Sequence, residues 1–281
     1  MNTENAAAST DSEHDEPTIG NPRNIASLLE VMKRLRDPQS GCPWDIEQDF
    51  ESIAPYTVEE AYEVQDAIAR NNMADLREEL GDLLFQTVFH SQMAKEQGSF
   101  TFDDVVETIT TKMIRRHPHI FANETERSSE EQTKAWEDIK AKERDAKGHK
   151  SVLDDVPVSL PGLTRAVKLQ KRAARIGFDW PSIDQVLDKL HEETGELNEA
   201  MAMKDKAAIE DEFGDLLFVM ANLARHLKID PEEAIRKANL KFSKRFKYVE
   251  EHARAHQSQA GTLPALDVME EWWINAKRNL G

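Results

Sequence analysis

The sequence predicts an all-α protein that contains two tandem copies of one helical domain. Glycine and proline are scarce, at 11 residues each among 281, and few stretches alternate strictly between polar and apolar residues as strands do. Apolar residues instead recur at helical spacing between start and stop signals for helices. Two acidic segments also occur twice in the same order, and such internal similarity indicates a repeated structural unit.

Helix signals occur along the chain after residue 23. A polar N-cap residue, an acidic residue three positions later and a proline at the first helical position each favour a helix start, whereas a later proline favours its end. The signals that we interpret in this way are an N-cap at Asn24 with a stop at Asp37-Pro38, a capping box of Asp75 and Glu78, a start at Thr101 with Asp104 and a stop before Pro118, and a start at Asp230-Pro231.

Composition divides the chain into a tail, a first copy, a linker and a second copy. Residues 1–23 are polar and acidic, so we predict a disordered tail there. The first helical domain is predicted at 24–147 and the second at 158–281. Residues 122–150 are almost wholly polar, which predicts a solvated helix or linker at the end of the first domain.

Acidic segments carry the repeat. Residues 59–63 (Glu-Glu-Ala-Tyr-Glu) recur at 192–196 as Glu-Glu-Thr-Gly-Glu, and residues 79–85 (Glu-Leu-Gly-Asp-Leu-Leu-Phe) recur at 212–218 as Glu-Phe-Gly-Asp-Leu-Leu-Phe. Both pairs are separated by 133 positions, so the spacing between the two segments is identical in each copy.

The acidic segments therefore predict a cluster of carboxylates in each copy. On a helix the glutamates of 59–63 share one face, and Glu79 and Asp82 share a face of the next helix. A turn at 70–72 would let the two helices run antiparallel with these faces opposed. Such a cluster repels itself unless cations neutralise it, and all-carboxylate sites suit Mg²⁺, with Mn²⁺ as a possible substitute.

Alternatives to this metal site remain. A di-iron bundle would place a histidine three residues after a glutamate, and none of the nine histidines is so placed. Acidic helix faces are usually solvated surface, but the repetition at one spacing favours a site. Gly81 and Gly214 lie inside the acidic helices, where glycine costs about 1 kcal/mol relative to alanine. They suggest that another helix or a ligand comes close, unless they are tolerated surface glycines.

Basic and aromatic residues provide candidates for binding phosphates and a base. Lysine and arginine four residues apart share a helix face and suit phosphate oxygens, and a tryptophan followed by a lysine could stack on a base and hold a phosphate. The alternatives are an ordinary solvated face and a core tryptophan. The candidate nucleotide-binding residues are Lys189, Lys241, Arg245, Trp273 and Lys277 in the second copy, and Lys112 and Arg116 in the first.

Charge and composition exclude several classes of function. The chain has 53 acidic and 36 basic residues, a formal net charge of −17, which argues against nucleic acid and anionic membranes as partners. No apolar run approaches the length of about 18 residues that a membrane span requires, and no secretory signal is visible. The single cysteine excludes an internal disulfide and a cysteine metal cage, so we expect a cytoplasmic protein.

The acidic pattern resembles the MazG family within the all-α nucleoside triphosphate pyrophosphohydrolases. The resemblance covers about residues 24–281 and includes the runs 41–45, 116–121 and 237–246. It implies a homodimeric helical enzyme that hydrolyses a nucleoside triphosphate to the monophosphate and pyrophosphate with Mg²⁺.

The resemblance also implies roles for individual residues. The implied nucleotide-binding residues are Lys241, Arg245 and Trp273. The glutamate left over in each cluster, Glu192 or Glu59, is then a candidate to take the proton from the attacking water. The implied metal ligands are Glu193, Glu196, Glu212 and Asp215 in the second copy, and Glu60, Glu63, Glu79 and Asp82 in the first.

We therefore expect hydrolysis that is broad in base and serves a house-cleaning role. The alternatives are a narrower deoxynucleotide or phosphoribosyl-ATP pyrophosphohydrolase and a non-catalytic helical partner protein. The second copy is expected to carry most of the hydrolysis. Pro118 shortens the basic helix of the first copy by about one turn, and Trp136 lies in the polar stretch, where we expect it to be held less firmly.

Overall fold

The computed structural model describes residues 19–122 and 150–280, together with residues 128, 131, 132, 135, 136, 139, 140, 143 and 148. Within these residues the regular structure is helical and contains no strand, which confirms the all-α class. The predicted tail at 1–23 lies outside the described residues as far as residue 18, and so does most of the predicted linker at 122–150.

The chain divides into two compact units, Met1–Trp136 and Glu137–Gly281, here called the first and second unit. The domain limits 24–147 and 158–281 stay predictions. The described helices of the first unit are α1 (Ile25–Leu35), α2 (Pro43–Glu47), α3 (Phe50–Ala69), α4 (Met73–Glu96), α5 (Phe102–Arg116) and α6 (Pro118–Phe121). Those of the second unit are α7 (Gly162–Arg175), α8 (Ile183–Met203), α9 (Lys206–His226), α10 (Pro231–Ala260) and α11 (Leu266–Leu280).

Most of the predicted helix starts are confirmed. The side chains of Asn24, Thr101 and Asp230 each accept hydrogen bonds from the backbone N–H groups that follow them, as N-caps do. The capping box predicted at Asp75 is wrong, because α4 begins earlier. The Asn72 side chain accepts from the backbone N–H groups of residues 74 and 75, at 3.1 and 3.3 Å, and starts the helix at Met73.

Two helical hairpins position the acidic segments. Helix α3 packs along α4, and α8 packs along α9. Each pair is joined by a short turn with one residue in the left-handed region, Asn71 at φ 54° and Lys204 at φ 58°. The predicted turn at 70–72 is therefore confirmed, and each hairpin brings its two acidic segments face to face.

Apolar packing holds each hairpin against a third helix. In the first unit Met32 of α1 and Ile53 of α3 form a buried cluster with Val88, Phe89 and Met93 of α4. In the second unit the buried apolar residues include Ala166 on α7, Val186 on α8 and Val219 on α9. Burying these side chains stabilises the hairpins.

The two basic helices differ greatly in length. Helix α5 has 15 residues and ends at Arg116, because Pro118 has no N–H to continue it. Helix α10 has 30 residues and continues to Ala260, where Gly261 ends it in the left-handed region. The shortening expected in the first copy is confirmed, but it amounts to several turns rather than about one.

None of the helices in the described ranges combines the length and the apolar character that a membrane crossing demands.

Candidate metal and nucleotide site

The first acidic cluster lies between α3 and α4. Glu60, Glu79 and Asp82 each have one carboxylate oxygen within 4.8 Å of those of the other two. Glu63 lies beside them, since its charge helps to raise the pKa of both Glu60 and Glu79. All four predicted ligands of the first copy are therefore neighbours.

Burial and repulsion raise the pKa of two carboxylates of the first cluster, Glu60 and Glu79. Burial raises the pKa of Glu60 above its ordinary value, and the charges of Asp82 and Glu63 raise it further. The pKa of Glu79 is raised by burial and by the same two neighbours. The half-buried Glu60 also accepts a hydrogen bond from the Gln86 amide, at 3.4 Å. These carboxylates favour any ligand that brings positive charge.

The second acidic cluster lies between α8 and α9. Glu193, Glu196 and Glu212 each offer one oxygen within 4.8 Å of the others. Burial raises the pKa of Glu212, and the charges of Glu193, Asp211 and Asp215 raise it further, which places the predicted ligand Asp215 beside the cluster. The pKa of Glu196 is also raised, by burial and by its acidic neighbours.

Lys189 distinguishes the second cluster from the first. Its Nζ atom lies 2.7 Å from Oε1 of Glu192 and 2.7 Å from Oε1 of Glu193. These contacts raise the pKa of Lys189, so the side chain carries its charge at neutral pH. The position 133 residues earlier is Tyr56, which brings no positive charge.

The two candidates for the general base have different surroundings. Glu192 is exposed and accepts a hydrogen bond from Lys189 at 2.7 Å. Glu59 is exposed on α3, next to the cluster residue Glu60. Both candidates are therefore accessible to water, and each adjoins a residue of its cluster in sequence.

The predicted nucleotide-binding residues of the second copy lie on α10 and α11. Lys241 is exposed, and Nε of the half-buried Arg245 is buried without a hydrogen-bond partner among the described residues. The Trp273 ring packs against Phe242 at a centroid distance of 5.2 Å, and Lys277 Nζ lies 6.0 Å from the Trp273 centroid.

This basic set is separate from the acidic set. Among the described residues no hydrogen bond or ion pair joins Lys241, Arg245 or Trp273 to a carboxylate of the second cluster. Lys189 is the one predicted nucleotide-binding residue that the described structure places directly on those carboxylates.

In the first copy Lys112 and Arg116 are half-buried on α5. The expectation that Trp136 would be held loosely is wrong. Its ring N–H donates to the Arg116 carbonyl at 2.9 Å, and its ring meets the His117 ring edge-on at 5.1 Å. Because α5 ends at Arg116, that carbonyl lies at the C-terminal end of a helix, where side chains commonly donate to backbone carbonyls.

Comparison with known proteins decides the family. Residues 48–121 and 182–250 match the family model described as the MazG nucleotide pyrophosphohydrolase domain, and each match contains one acidic cluster. A nucleoside triphosphate pyrophosphohydrolase of Escherichia coli (strain K12) is 52% identical over 256 residues, which are 90% of this chain and 97% of that protein.

This chain belongs to the MazG family. The nucleoside triphosphate pyrophosphohydrolase/pyrophosphatase MazG of Thermotoga maritima is 44% identical over 250 residues, which are 89% of this chain and 94% of that protein. The crystal structure of a mazG-related protein from Thermotoga maritima matches 41% of this chain and 98% of its own chain, with a TM-score of 0.36 and 29% identity. The two domain matches confirm the predicted tandem arrangement.

The clusters of this MazG-family chain fit a hard divalent cation. All the ligand atoms are carboxylate oxygens, which Mg²⁺ and Mn²⁺ accept. Glu193 is only 4% exposed, and its Oε2 atom is buried without a hydrogen-bond partner in the part of the chain that the structure describes. An unpaired buried carboxylate oxygen is costly, and a bound cation would satisfy it.

Sequence reasoning missed two polar residues that contact or perturb these MazG-family clusters. Gln86 is buried and hydrogen-bonds Glu60, and Asp211 raises the pKa of Glu212. Gln86 follows Glu79 by seven residues and therefore shares its helix face, which is a signal that the sequence contains. Asp211 adjoins Glu212 in sequence, but only the packed hairpin shows that its charge affects the site.

Proposed function

We propose that this MazG-family chain hydrolyses nucleoside triphosphates to nucleoside monophosphates and pyrophosphate with Mg²⁺. The observation that carries the proposal is the acidic cluster, which occurs in both segments matched by the MazG domain and leaves a buried carboxylate oxygen of Glu193 unpaired. The name of the relative that is 52% identical supports the same reaction. We further propose that the activity is broad in base and serves a house-cleaning role.

The proposed metal ligands of the second copy are Glu193, Glu196, Glu212 and Asp215, and those of the first are Glu60, Glu63, Glu79 and Asp82. When bound, Mg²⁺ lowers the pKa of water and neutralises negative charge on the phosphates. The carboxylates hold their orientation because each hairpin fixes two helices against each other.

The remaining residues are proposed to act directly on the substrate or on water. Glu192, or Glu59 in the first copy, takes the proton of the attacking water, since it is exposed and adjoins a proposed metal ligand in sequence. Lys241 and Arg245 hold phosphate oxygens, and Trp273 with Lys277 holds the base and a phosphate. Lys112 and Arg116 are the corresponding pair of the first copy, and Lys189 is proposed to reach a phosphate once a cation replaces it at Glu193.

A homodimer is proposed as the working form. Among the described residues no hydrogen bond or ion pair joins the basic set to the acidic set of the second unit, so a second chain could supply the missing side of the site. Large apolar side chains beside the second cluster are also exposed, including Phe213 (52%) and Leu217 (43%), and a partner would cover them. We propose a cytoplasmic location and expect no binding to nucleic acid or membranes.

The second copy is proposed to carry most of the hydrolysis. Its basic helix α10 is twice as long as α5, and Lys189 is present only there, with Tyr56 at the corresponding position of the first copy. The firm placement of Trp136 removes one argument against the first copy, so the proposal rests on these two differences.

Pyrophosphate release from the purified full chain tests the function. All common ribonucleoside and deoxynucleoside triphosphates are supplied with Mg²⁺, with Mn²⁺ or with EDTA. We expect a monophosphate and pyrophosphate in equal amounts, little activity in EDTA, and rates that differ little between bases. Products that are inorganic phosphate and a nucleoside diphosphate, or no turnover of any triphosphate, would overturn the proposal. A rate confined to one substrate would replace the broad activity with a narrow one.

A further inference from the structure

The second unit contains a large basic groove away from its acidic cluster. The groove has a volume of about 670 Å³ and lies between α7, the C-terminal end of α9 and the start of α10. Its basic lining residues are Lys168, Lys171, Arg172 and Arg175 on α7, Arg225 and Lys228 at and after the end of α9, and Lys140. Among the described lining residues only Asp155 and Asp230 bring negative charge, so this part of the lining carries five net positive charges in a chain of net charge −17.

Several of these cations are not neutralised by the protein. Arg172 forms a bidentate ion pair with Asp155, with N–O distances of 2.6 and 3.2 Å, and Arg225 forms an ion pair with Asp179. In contrast, the side chains of Lys168, Lys171 and Lys228 have no hydrogen bond or ion pair to any described residue. The basic residues of α7 also repel one another, because Lys168 and Arg172 lie four residues apart on one face.

The first unit contains a groove at the corresponding place, but that groove lacks the positive charge. Its groove has a volume of about 330 Å³ and lies between α1, the end of α4 and the start of α5. Gln92 and Lys95 line it at the positions 133 residues before Arg225 and Lys228. Its described lining has two lysines against Glu30 and Asp103, so the net charge of these residues is zero.

Individual positions show how the charge differs. Glu30 and Lys33 of α1 line the first groove where Lys168 and Lys171 of α7 line the second, each 138 positions later. Glu30 is paired with Lys33 and Arg34 of its own helix. The MazG-like hairpin therefore folds with a neutral groove, and the positive charge of the second groove is not required by the fold.

We propose that the basic groove of the second unit binds the diphosphate or triphosphate group of a small anion, at a site distinct from the acidic cluster. Lys168, Lys171 and Lys228, which have no ion pair among the described residues, converge with three guanidinium groups in a cavity of this size, and such a lining suits several phosphate oxygens at once. A long polyanion such as nucleic acid is disfavoured, because the rest of this acidic chain would repel it. The group could belong to free pyrophosphate, which the proposed reaction would release, or to a nucleotide.

The groove is too far from the second cluster to share its substrate phosphates. Arg225 follows Glu212 by 13 residues on the same helix, which corresponds to roughly 20 Å along its axis. The acidic cluster also needs a cation to attract phosphates, whereas the groove attracts them without one. This difference allows the two sites to be separated by removing divalent metal.

Calorimetric titration of the full chain in EDTA tests the proposal. The probes are pyrophosphate, tripolyphosphate, a non-hydrolysable nucleoside triphosphate analogue and a nucleoside monophosphate. Lys171→Glu is compared with Lys33→Glu, which makes the same change at the corresponding position of the neutral groove. Lys171→Gln removes the charge without reversing it and serves if the first variant fails to fold.

We expect saturable binding of tripolyphosphate with one site per chain, weakened about tenfold to a hundredfold by Lys171→Glu as for the loss of one charge-assisted hydrogen bond. Lys33→Glu should change it less than twofold. Equal binding of the nucleotide and tripolyphosphate would point to the phosphates alone, and tighter nucleotide binding would add the nucleoside. Absent binding, equal effects of the two charge reversals, or a monophosphate that binds as tightly as tripolyphosphate would overturn the proposal. Because the titration needs no turnover, its failure is independent of the proposed hydrolysis.

Discussion

Replacing Lys189 with methionine should destabilise the second unit when no divalent cation is bound. The Lys189 Nζ atom lies 2.7 Å from Oε1 of Glu193, whose side chain is only 5% exposed. Removing it leaves a buried carboxylate whose other oxygen has no hydrogen-bond partner among the described residues. Losing the Lys189 charge should cost less at Glu192, because water can solvate that side chain, which is 58% exposed.

The magnitude follows from the burial of Glu193. Breaking a buried ion pair by removing one partner typically costs about 3–5 kcal/mol. Lys189 is itself 30% exposed, so we expect a value near the lower end, about 3 kcal/mol. For a unit of this size, that loss corresponds to a decrease in Tm of about 10 °C.

The free energy of unfolding, measured in urea and by heating, would test this effect in four proteins: the wild type, Lys189→Met, Glu193→Gln and the double variant. In EDTA the double variant should regain most of the stability lost by Lys189→Met, because the buried charge is gone as well. Saturating Mg²⁺ should also reduce the loss, since a bound cation replaces the ammonium group. Glu192→Gln is the matched control and should change stability by less than about 1 kcal/mol. A loss below about 0.5 kcal/mol for Lys189→Met, or no recovery in the double variant, would refute the reasoning.

Three further predictions concern the acidic helices. Asp215→Asn should abolish metal-dependent pyrophosphate release when Glu79→Gln disables the first site, while the circular dichroism stays unchanged; retained turnover would count against Asp215 as a ligand. In EDTA the raised pKa of Glu212 stabilises the folded protein below the ordinary pKa of 4.5, and this contribution is lost as the pH rises through the folded-state pKa. Between pH 4 and 7 the free energy of unfolding in urea should therefore decrease less for Glu212→Gln than for the wild-type protein. Equal pH dependence in the two proteins would contradict the raised pKa. Gly214→Ala should increase stability by about 0.5–1 kcal/mol, because an added Cβ meets no atom of the described residues within 4 Å. A loss of activity in that otherwise stable variant would show that a ligand or a second chain approaches Gly214 closely.

Local signals determined much of the fold. The N-caps at Asn24, Thr101 and Asp230 and the turn at 70–72 depend on a few neighbouring residues, so the sequence contained their positions. The misplaced start of α4 has the same local origin. Asn72 and Asp75 are both good N-caps, and the one that captures the earlier N–H groups extends the helix by a further turn.

The acidic clusters were also predictable, because helical periodicity fixes which side chains share a face. Once the turn joins two amphipathic helices, the faces that carry Glu60 and Glu79 must oppose each other. The repeat added a second example at the same spacing and made the site stand out from an ordinary charged surface.

Tertiary structure alone decided which charges neutralise each other and which do not. The sequence by itself could place Lys189 one turn before Glu193, but not show that both Glu192 and Glu193 converge on its ammonium group. The basic groove likewise assembles residues from three separate helices and the segments beside them, and its lining spans 91 positions of the sequence, from Lys140 to Pro231. Periodicity describes one helix at a time, whereas these contacts depend on how several helices pack, and packing is determined by the apolar faces rather than by the charges themselves.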